Sequence, residues 1–230
     1  MWSITPLEIE AIGLSLRVAL WAVLWSLPLG IATAWLLARC DFFGKTLLNG
    51  VVHLPLILPP VAVGYLLLIL LGRRGPVGGW LFDMFGVTVA FTWKGAAIAS
   101  AVMAFPLMVR AIRLSLEGVD YRLEEAARTL GAGRAWVFLS ITLPLIAPGI
   151  LTGTILCFAR SLGEFGATIT FVSNIAGETR TLPLALFTLT QTPDGELGAL
   201  RLMIISVVLA LAALIASEVL ARRISARIGG

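Results

Sequence analysis

Residues 114–144 read LSLEGVDYRLEEAARTLGAGRAWVFLSITLP and form the one long polar interruption between strongly apolar segments. The pattern predicts a first helix that begins after Asp120, a suitable N-cap, and ends near Gly131. A second short helix is expected over residues 134–141, ending at Leu143-Pro144 because proline disfavours simple continuation. The stretch therefore predicts helix, sharp turn and helix. The apolar side chains at helical spacing on one face of the first helix are Val119, Leu123, Ala126, Ala127 and Leu130.

Composition restricts the class of protein. Of the 230 residues, 59% are hydrophobic and 13% are charged, and the mean hydropathy is +0.98. A soluble domain does not bury so much apolar surface, so we interpret the chain as an all-α polytopic membrane protein. We predict a transmembrane domain over residues 11–221 with five spans, each near or above the roughly 20 residues needed to cross hydrocarbon. The predicted spans are 12–38, 54–71, 92–113, 145–165 and 199–221.

Basic residues predict the orientation of these spans, because cytoplasmic loops retain Lys and Arg. If the amino terminus is outside, ten of the 17 basic residues lie on the cytoplasmic side. The loop at 114–144 is then cytoplasmic, a loop at 172–198 is external, and the carboxyl terminus is cytoplasmic. The net charge of +4 follows from this retention, so nucleic-acid binding is not expected. The ten residues are Arg39, Lys45, Arg110, Arg113, Arg122, Arg128, Arg134, Arg222, Arg223 and Arg227.

Motifs for catalysis or nucleotide binding are absent from the sequence. Gly44-Lys45-Thr46 resembles the end of a phosphate-binding loop, but that motif requires glycine where the chain has Arg39. The chain has one histidine, no zinc-binding pair and no Gly-x-Ser-x-Gly motif. We therefore expect no catalytic site, metal site or cofactor in this chain, and we expect a partner to supply energy.

A second informative stretch, FARSLGEFGATITFVS at residues 158–173, ends the fourth predicted span. Arg160 and Glu164 are four residues apart at a depth where ionisable groups are costly, so they are functional candidates; a salt bridge that only ties helices together is an equal alternative. Hydroxyl groups in this stretch have the chemistry to donate to a dehydrated anion, although such groups also bond the carbonyls of their own helix. The pathway or gate candidates are Arg160, Ser161, Glu164, Thr168, Thr170 and Ser173.

Glycine and proline mark other features of the predicted spans. Gly149 and Gly153 form a GxxxG motif, which is typical of close helix packing. Residues 53–60 contain three prolines, which either kink the second span or mark a helix start. The apolar run 182–189 is too short to cross a membrane, so we expect a short helix near the outer face.

The polar interruption resembles the EAA loop of ABC-importer permeases, whose fixed positions are all matched. In that family the loop is a coupling helix that sits in a groove of the cytoplasmic ATPase and carries its closure into the membrane. Small alanines permit close approach of another surface, and a carboxylate supplies an anion for a basic groove. Periodicity alone is also compatible with an amphipathic helix lying on a membrane surface. The matching residues are Glu125, Ala126, Ala127, Gly131, Ile141, Leu143 and Pro144.

Five runs of sequence carry a more specific resemblance: LARCDFFGK at 37–45, HLPLILPPVAVGYLLL at 53–68, MAFPLMVRAIRLSLEGVD at 103–120, EAARTLGAGR at 125–134 and FARSLGEFGATITFVSN at 158–174. On these runs the chain, from residue 14 onward, resembles the permease of bacterial molybdate ABC importers. The SLGEFGA segment is similar to permeases for tetrahedral oxyanions, sulfate included, and the extended runs favour molybdate.

The resemblance implies a type I ABC importer in a bacterial inner membrane, with a periplasmic amino terminus. It implies two copies of this chain, a dimer of ATPase subunits that binds ATP and Mg²⁺, and a periplasmic molybdate-binding protein. One coupling loop per chain and two grooves per ATPase pair fit a homodimer with the pathway on its two-fold axis. The alternatives are a sulfate or tungstate permease of the same class, an ATP-independent secondary transporter, and a membrane-anchored scaffold.

Overall fold

A computed structural model describes residues 5–228. Arg222, Arg223 and Arg227 are predicted to be cytoplasmic, and their side chains are not among those that the structure describes. The described residues form helices and no strand, which confirms the predicted all-α class. A π-helical turn, Phe138–Thr142, joins α7 to α8. The α-helices are α1 Pro6–Arg39, α2 Lys45–Ile57, α3 Pro60–Leu71, α4 Pro76–Phe85, α5 Trp93–Glu117, α6 Tyr121–Thr129, α7 Arg134–Val137, α8 Leu143–Leu162, α9 Gly166–Val172, α10 Leu182–Thr190 and α11 Glu196–Ile228.

Helix α5 lies at the centre of the bundle and packs against both α1 and α8. Its buried face is rich in small residues such as Ala97 and Ala104, which allow neighbouring helices to approach closely. Larger side chains, including Met108 and Ile112, fill the space between α1, α5 and α8. The core of the chain is therefore a packed three-helix unit, on which the long α11 and the shorter helices are arranged.

Four described helices are long and apolar enough to cross a membrane. They are α1, α5, α8 together with the preceding α7 and π-helical turn, and the part of α11 at 196–216. Helices α2 and α3 make a fifth candidate only if they are counted together, because their axes are bent by 115°. The limits of the five spans stay predictions, since the helices by themselves do not locate the bilayer.

The segment predicted as the second span, 54–71, is not one straight helix. Helix α2 ends at Ile57 and α3 begins at Pro60. Leu58 between them is extended, with φ −71° and ψ 147°, because the ring of Pro59 disfavours a helical residue before it. Both interpretations of the proline-rich segment apply: the apolar stretch is bent by 115°, and Pro60 lies in the first turn of a new helix, α3.

The expectation that the helix over residues 134–141 stops at Leu143-Pro144 is wrong. The chain continues from α7 through the π-helical turn into α8, and the Leu143 N–H bonds to the carbonyl of Phe138 five residues earlier. A π-helical register shifts the backbone at this point, so that Pro144 falls in the first turn of α8, where its missing N–H is tolerated. The second arm of the predicted coupling loop, residues 114–144, is thus continuous with α8.

The predicted close packing at Gly149 and Gly153 is confirmed. A Cβ atom on Gly149 would overlap the side chain of Ser115, and one on Gly153 would lie 3.0 Å from the carbonyl oxygen of Met108. Both neighbours belong to α5. The two glycines therefore set the short separation between α5 and α8.

Short helices complete the other end of the bundle. Helix α10 lies in the segment where a short helix was expected, and its first residue donates a backbone hydrogen bond of 2.6 Å from Leu182 N to Ser15 Oγ of α1. Glu8, in the first turn of α1, pairs with Arg201 of α11 at 2.9 Å. These contacts attach α10 and α11 to α1 far from the coupling loop.

Candidate functional site

The coupling loop has the predicted helix, turn and helix. The carboxylate of Asp120 accepts a hydrogen bond from Arg122 N at 3.0 Å and caps α6. Gly131 follows α6 with φ +91°, a left-handed conformation in which other residues are strained. This glycine lets the chain reverse direction before α7 begins at Arg134.

The apolar side of α6 is largely exposed. Leu130 is 88% exposed, and Ala126 is exposed as well. Together with Ala127, Gly131 and Ile141 they line an open hollow of about 720 Å³ between the two arms of the loop. Four of the seven predicted coupling residues, Ala126, Ala127, Gly131 and Ile141, thus meet around one concave surface.

The other three predicted coupling residues lie outside this hollow. Glu125 is exposed and has no hydrogen bond or ion pair among the described residues. Leu143 is half-buried and packs against the core between α5 and α8, and Pro144 is exposed in the first turn of α8. A free carboxylate therefore lies on the same helix as an uncovered apolar surface.

Glu124, which was not predicted as a site residue, is the buried acid of the loop. It is 5% exposed, and its Oε1 accepts hydrogen bonds from Arg39 Nη2 at 3.2 Å and Thr142 Oγ1 at 2.9 Å. Arg128 lies 3.9 Å from its second oxygen. Since Arg39 ends α1 and Thr142 precedes α8, this carboxylate joins α6 to two long helices.

The neighbouring glutamates Glu124 and Glu125 should differ sharply when each is replaced with alanine. Glu124→Ala is expected to lower the free energy of unfolding by about 2 kcal/mol, because Arg39 is left half-buried without its carboxylate. Glu125→Ala is expected to change it by less than about 0.5 kcal/mol, as is usual for an exposed site. Thermal unfolding of the two purified variants checks this difference, and equal stability would contradict the Glu124 contacts.

Arg160 and Glu164 form an ion pair of 2.7 Å at the end of α8. They do not lie on one continuous helix, because α8 ends at Leu162 and α9 begins at Gly166. Glu164 is 2% exposed, and its Oε1 also accepts a hydrogen bond from Ala167 N at 2.8 Å. The carboxylate therefore caps α9 while it pairs with Arg160, whose side chain is 29% exposed.

The hydroxyl groups predicted near this pair are not arranged alike. Thr168 and Thr170 donate to carbonyl oxygens of their own helix segment, Phe165 O at 2.8 Å and Gly166 O at 2.9 Å. Ser161 is buried, and its Oγ has no hydrogen-bond partner among the described residues. Ser173 is exposed at the end of α9 with φ +64°. The structure thus brings Arg160, Ser161 and Glu164 to the break between α8 and α9, while both threonine hydroxyls are used locally.

Comparison with known proteins shows the family. Residues 26–226 match the model of the binding-protein-dependent transport system inner membrane component. The chain is 67% identical over 219 residues to the Molybdenum transport system permease protein ModB of Escherichia coli strain K12, covering 95% of this chain and 96% of the relative. It is 58% identical over 223 residues to the protein of that name from Haemophilus influenzae, covering 97% of each.

Solved structures agree with the architecture. A bacterial ABC transporter involved in the import of the acidic polysaccharide alginate matches with a TM-score of 0.75 at 20% identity, over 96% of this chain and 80% of that chain. The same kind of transporter in complex with alginate pentasaccharide-bound periplasmic protein matches with a TM-score of 0.73. At this identity the likeness shows the fold, which is that of a type I ABC importer permease. The chain therefore belongs to the binding-protein-dependent transport system inner membrane components, within them to the molybdenum transport permeases, and is a multi-pass protein of the inner membrane.

Proposed function

We propose that two copies of this chain form the pathway through which molybdate enters the cytoplasm, driven by a separate pair of ATPase subunits that bind ATP and Mg²⁺. The observation that carries this proposal is the uncovered concave surface of the coupling loop. Its lining is apolar, and the exposed carboxylate of Glu125, which has no partner among the described residues, lies outside it on the same helix. A surface of this kind fits a groove on another protein, with a basic group opposite Glu125.

The contacts of Glu124 supply a route for coupling. A displacement of α6 by the ATPase pulls on Arg39 at the end of α1 and on Thr142 before α8, since both bond the same carboxylate oxygen. The π-helical turn leaves α7 and α8 continuous, so the second arm of the loop moves with α8. Closure of two coupling loops would thereby rotate α1 and α8 in each copy, which is the rigid-body motion that alternating access requires.

The break between α8 and α9 is proposed as part of the pathway. Glu164 pairs with Arg160 and accepts a hydrogen bond from the amide of Ala167, so it does not present a bare carboxylate to an anion. The exposed part of Arg160 remains available to a passing oxyanion, whereas the hydroxyl of Ser161 is buried and is assigned to the wall of the proposed pathway. We assign to the surrounding wall of the pathway Thr168, Thr170 and Ser173. Discrimination between oxyanions is assigned mainly to a periplasmic binding protein.

The proposed orientation has the amino terminus in the periplasm and the coupling loop and carboxyl terminus in the cytoplasm. It is supported by the concentration of arginine near the loop and by the position of α10 at the opposite end of the bundle. Residues 172–198, which include α10, are then available to the loaded binding protein. This orientation assumes that the five predicted spans and the transmembrane domain at 11–221 are correct, and we propose them with it.

The test is the ATPase activity of the complete reconstituted transporter with binding protein loaded with molybdate or with sulfate. Molybdate-loaded protein is expected to stimulate hydrolysis and sulfate-loaded protein is not. Glu125→Lys is expected to reduce the stimulation about tenfold, because a cation replaces the anion that meets a basic groove. The folded amount of the variant should equal that of the unmodified chain, since the Glu125 side chain has no partner among the described residues.

Glu117→Lys is the matched control for this charge reversal. Glu117 is another exposed acid at the same end of the bundle. Its ion pair with Arg113, at 2.7 Å, is exposed to solvent, and exposed ion pairs contribute little to stability. Stimulation should persist in this variant. Equal loss in both variants would contradict a specific role for Glu125, and uptake that persists without ATP would show a secondary transporter.

A further inference from the structure

A second cavity lies on the opposite side of the coupling loop, between the end of α1, α6 and α7. Its volume is about 460 Å³, within the range of sites for small ligands. Trp35, Tyr121 and Phe138 contribute aromatic walls, and three arginines contribute the polar part. None of the seven coupling residues predicted from the sequence lines this cavity, whereas Arg39, Glu124 and Thr142 of the proposed coupling route do.

The charges that line this cavity do not balance. Arg39, Arg128 and Arg134 face a single acid, Glu124, which leaves an excess of two positive charges among the described lining residues. Glu124 is already held by Arg39 at 3.2 Å and by Thr142 at 2.9 Å. Its distance of 3.9 Å from Arg128 is too long for a hydrogen bond, so that guanidinium is only loosely paired.

Among the described residues, one buried donor beside the cavity lacks an acceptor. Arg39 donates through Nη2 to Glu124 and to the carbonyl of Val119 at 3.4 Å, while its buried Nε has no partner among these residues. The exposed side chain of Arg134 has no hydrogen bond or ion pair among them either. Buried guanidinium nitrogens are normally satisfied, so the unused Nε of Arg39 points to a missing acceptor, and the donors of Arg134 are open to the same acceptor.

The aromatic ring of Tyr121 orients two of these guanidinium groups. The Cζ atoms of Arg39 and Arg128 lie 5.6 Å and 6.0 Å from its centroid. Cation–π contacts of this kind hold arginine side chains in place without using their N–H donors. The donors therefore remain available to an anion.

We propose that this cavity is an anion site that takes a phosphate-like tetrahedral oxyanion group. Guanidinium forks match such a group in geometry and charge. Two sources share this chemistry: the headgroup of an anionic phospholipid and a free oxyanion on the cytoplasmic side. The end of α1 lies one residue beyond the predicted span, and Trp35 beside it is 39% exposed, so the cavity is at the depth of lipid headgroups as well as in reach of solvent.

The experiment uses the full chain copurified with its ATPase and compares Arg134→Gln and Arg128→Gln with Arg122→Gln. Arg122 is the matched control, because it is an exposed arginine of α6 that does not line the cavity and whose side chain has no partner among the described residues. In one arm, the complex is placed in nanodiscs of mixed phosphatidylglycerol and phosphatidylcholine, and native mass spectrometry counts retained phosphatidylglycerol. In the other, the nanodiscs contain phosphatidylcholine alone, and equilibrium dialysis measures the binding of labelled inorganic phosphate.

Retention of phosphatidylglycerol, or affinity for inorganic phosphate, is expected to fall about tenfold or more in Arg134→Gln and Arg128→Gln. The same quantity is expected to be unchanged in Arg122→Gln. An effect in the nanodisc arm identifies a lipid headgroup as the source, and an effect in the phosphate arm identifies a free oxyanion. Absence of anion binding in both arms would overturn the proposal. An equal decrease in all three variants would also overturn it, because it would reflect overall charge. Neither arm measures transport, so the outcome is independent of the cargo and coupling assignments.

Discussion

Replacing Glu164 with alanine is expected to lower the free energy of unfolding by about 3 kcal/mol and to remove most of the folded protein from membranes. The carboxylate is 2% exposed and makes two contacts, with Arg160 at 2.7 Å and with Ala167 N at 2.8 Å. Alanine leaves a guanidinium without its counter-charge and the first turn of α9 without its cap. The effect is measured by thermal unfolding of the purified chain, with the amount of monodisperse protein that remains at each temperature as the readout.

Two further variants separate the contributions at this site. Glu164→Gln keeps an oxygen that accepts from Ala167 N but removes the charge, so an intermediate loss is expected. The double variant Arg160→Leu, Glu164→Leu should be more stable than Glu164→Ala, because replacing both members of a buried pair with apolar residues avoids an unpaired charge. Wild-type stability of Glu164→Ala would show that the ion pair contributes nothing to the fold.

Gly149→Val is expected to destabilise the chain by about 3 kcal/mol through separation of α5 and α8. The first added atom would overlap the Ser115 side chain and would lie 3.2 Å from the carbonyl oxygen of Ala111. The backbone of α5 cannot give way without disturbing the central helix of the bundle. The yield of folded protein and its unfolding temperature should both fall.

Gly13→Val is the control for Gly149→Val. A Cβ on Gly13 of α1 would meet no atom within 4 Å, so this substitution should change stability little. Ser115→Gly combined with Gly149→Val should restore part of the loss, since it removes the side chain that the added atoms overlap. If stability is not restored, the destabilisation by Gly149→Val does not arise from overlap with Ser115.

The coupling loop was largely predictable because its determinants are local. An N-cap at Asp120, helical spacing of apolar side chains and a glycine at position 131 specify helix, turn and helix without reference to the rest of the chain. The register of the second arm was not predictable in this way. Whether a proline ends a helix or is absorbed by a π-helical turn depends on the packing of α8 against α5.

The sites that depend on distant residues were predicted less well. Glu125 and Glu124 are adjacent identical residues, yet one is free and the other is buried against Arg39, 85 positions earlier. At the other end of α8, the sequence left two interpretations of Arg160 and Glu164 open, and the ion pair was one of them. The hydroxyl groups of Thr168 and Thr170 were possible anion ligands until their local hydrogen bonds were known.

Hydropathy, helical period and motif spacing are properties of consecutive residues. They were therefore sufficient to predict the membrane class, the all-α architecture, the helix, turn and helix at 114–144 and the family. Three features became known only from the packing of helices far apart in the chain: which carboxylate joins the loop to α1 and α8, where the apolar second segment bends, and which arginines share a cavity. Burial and pairing of a charge depend on what surrounds it in space, and one-dimensional patterns do not record those neighbours.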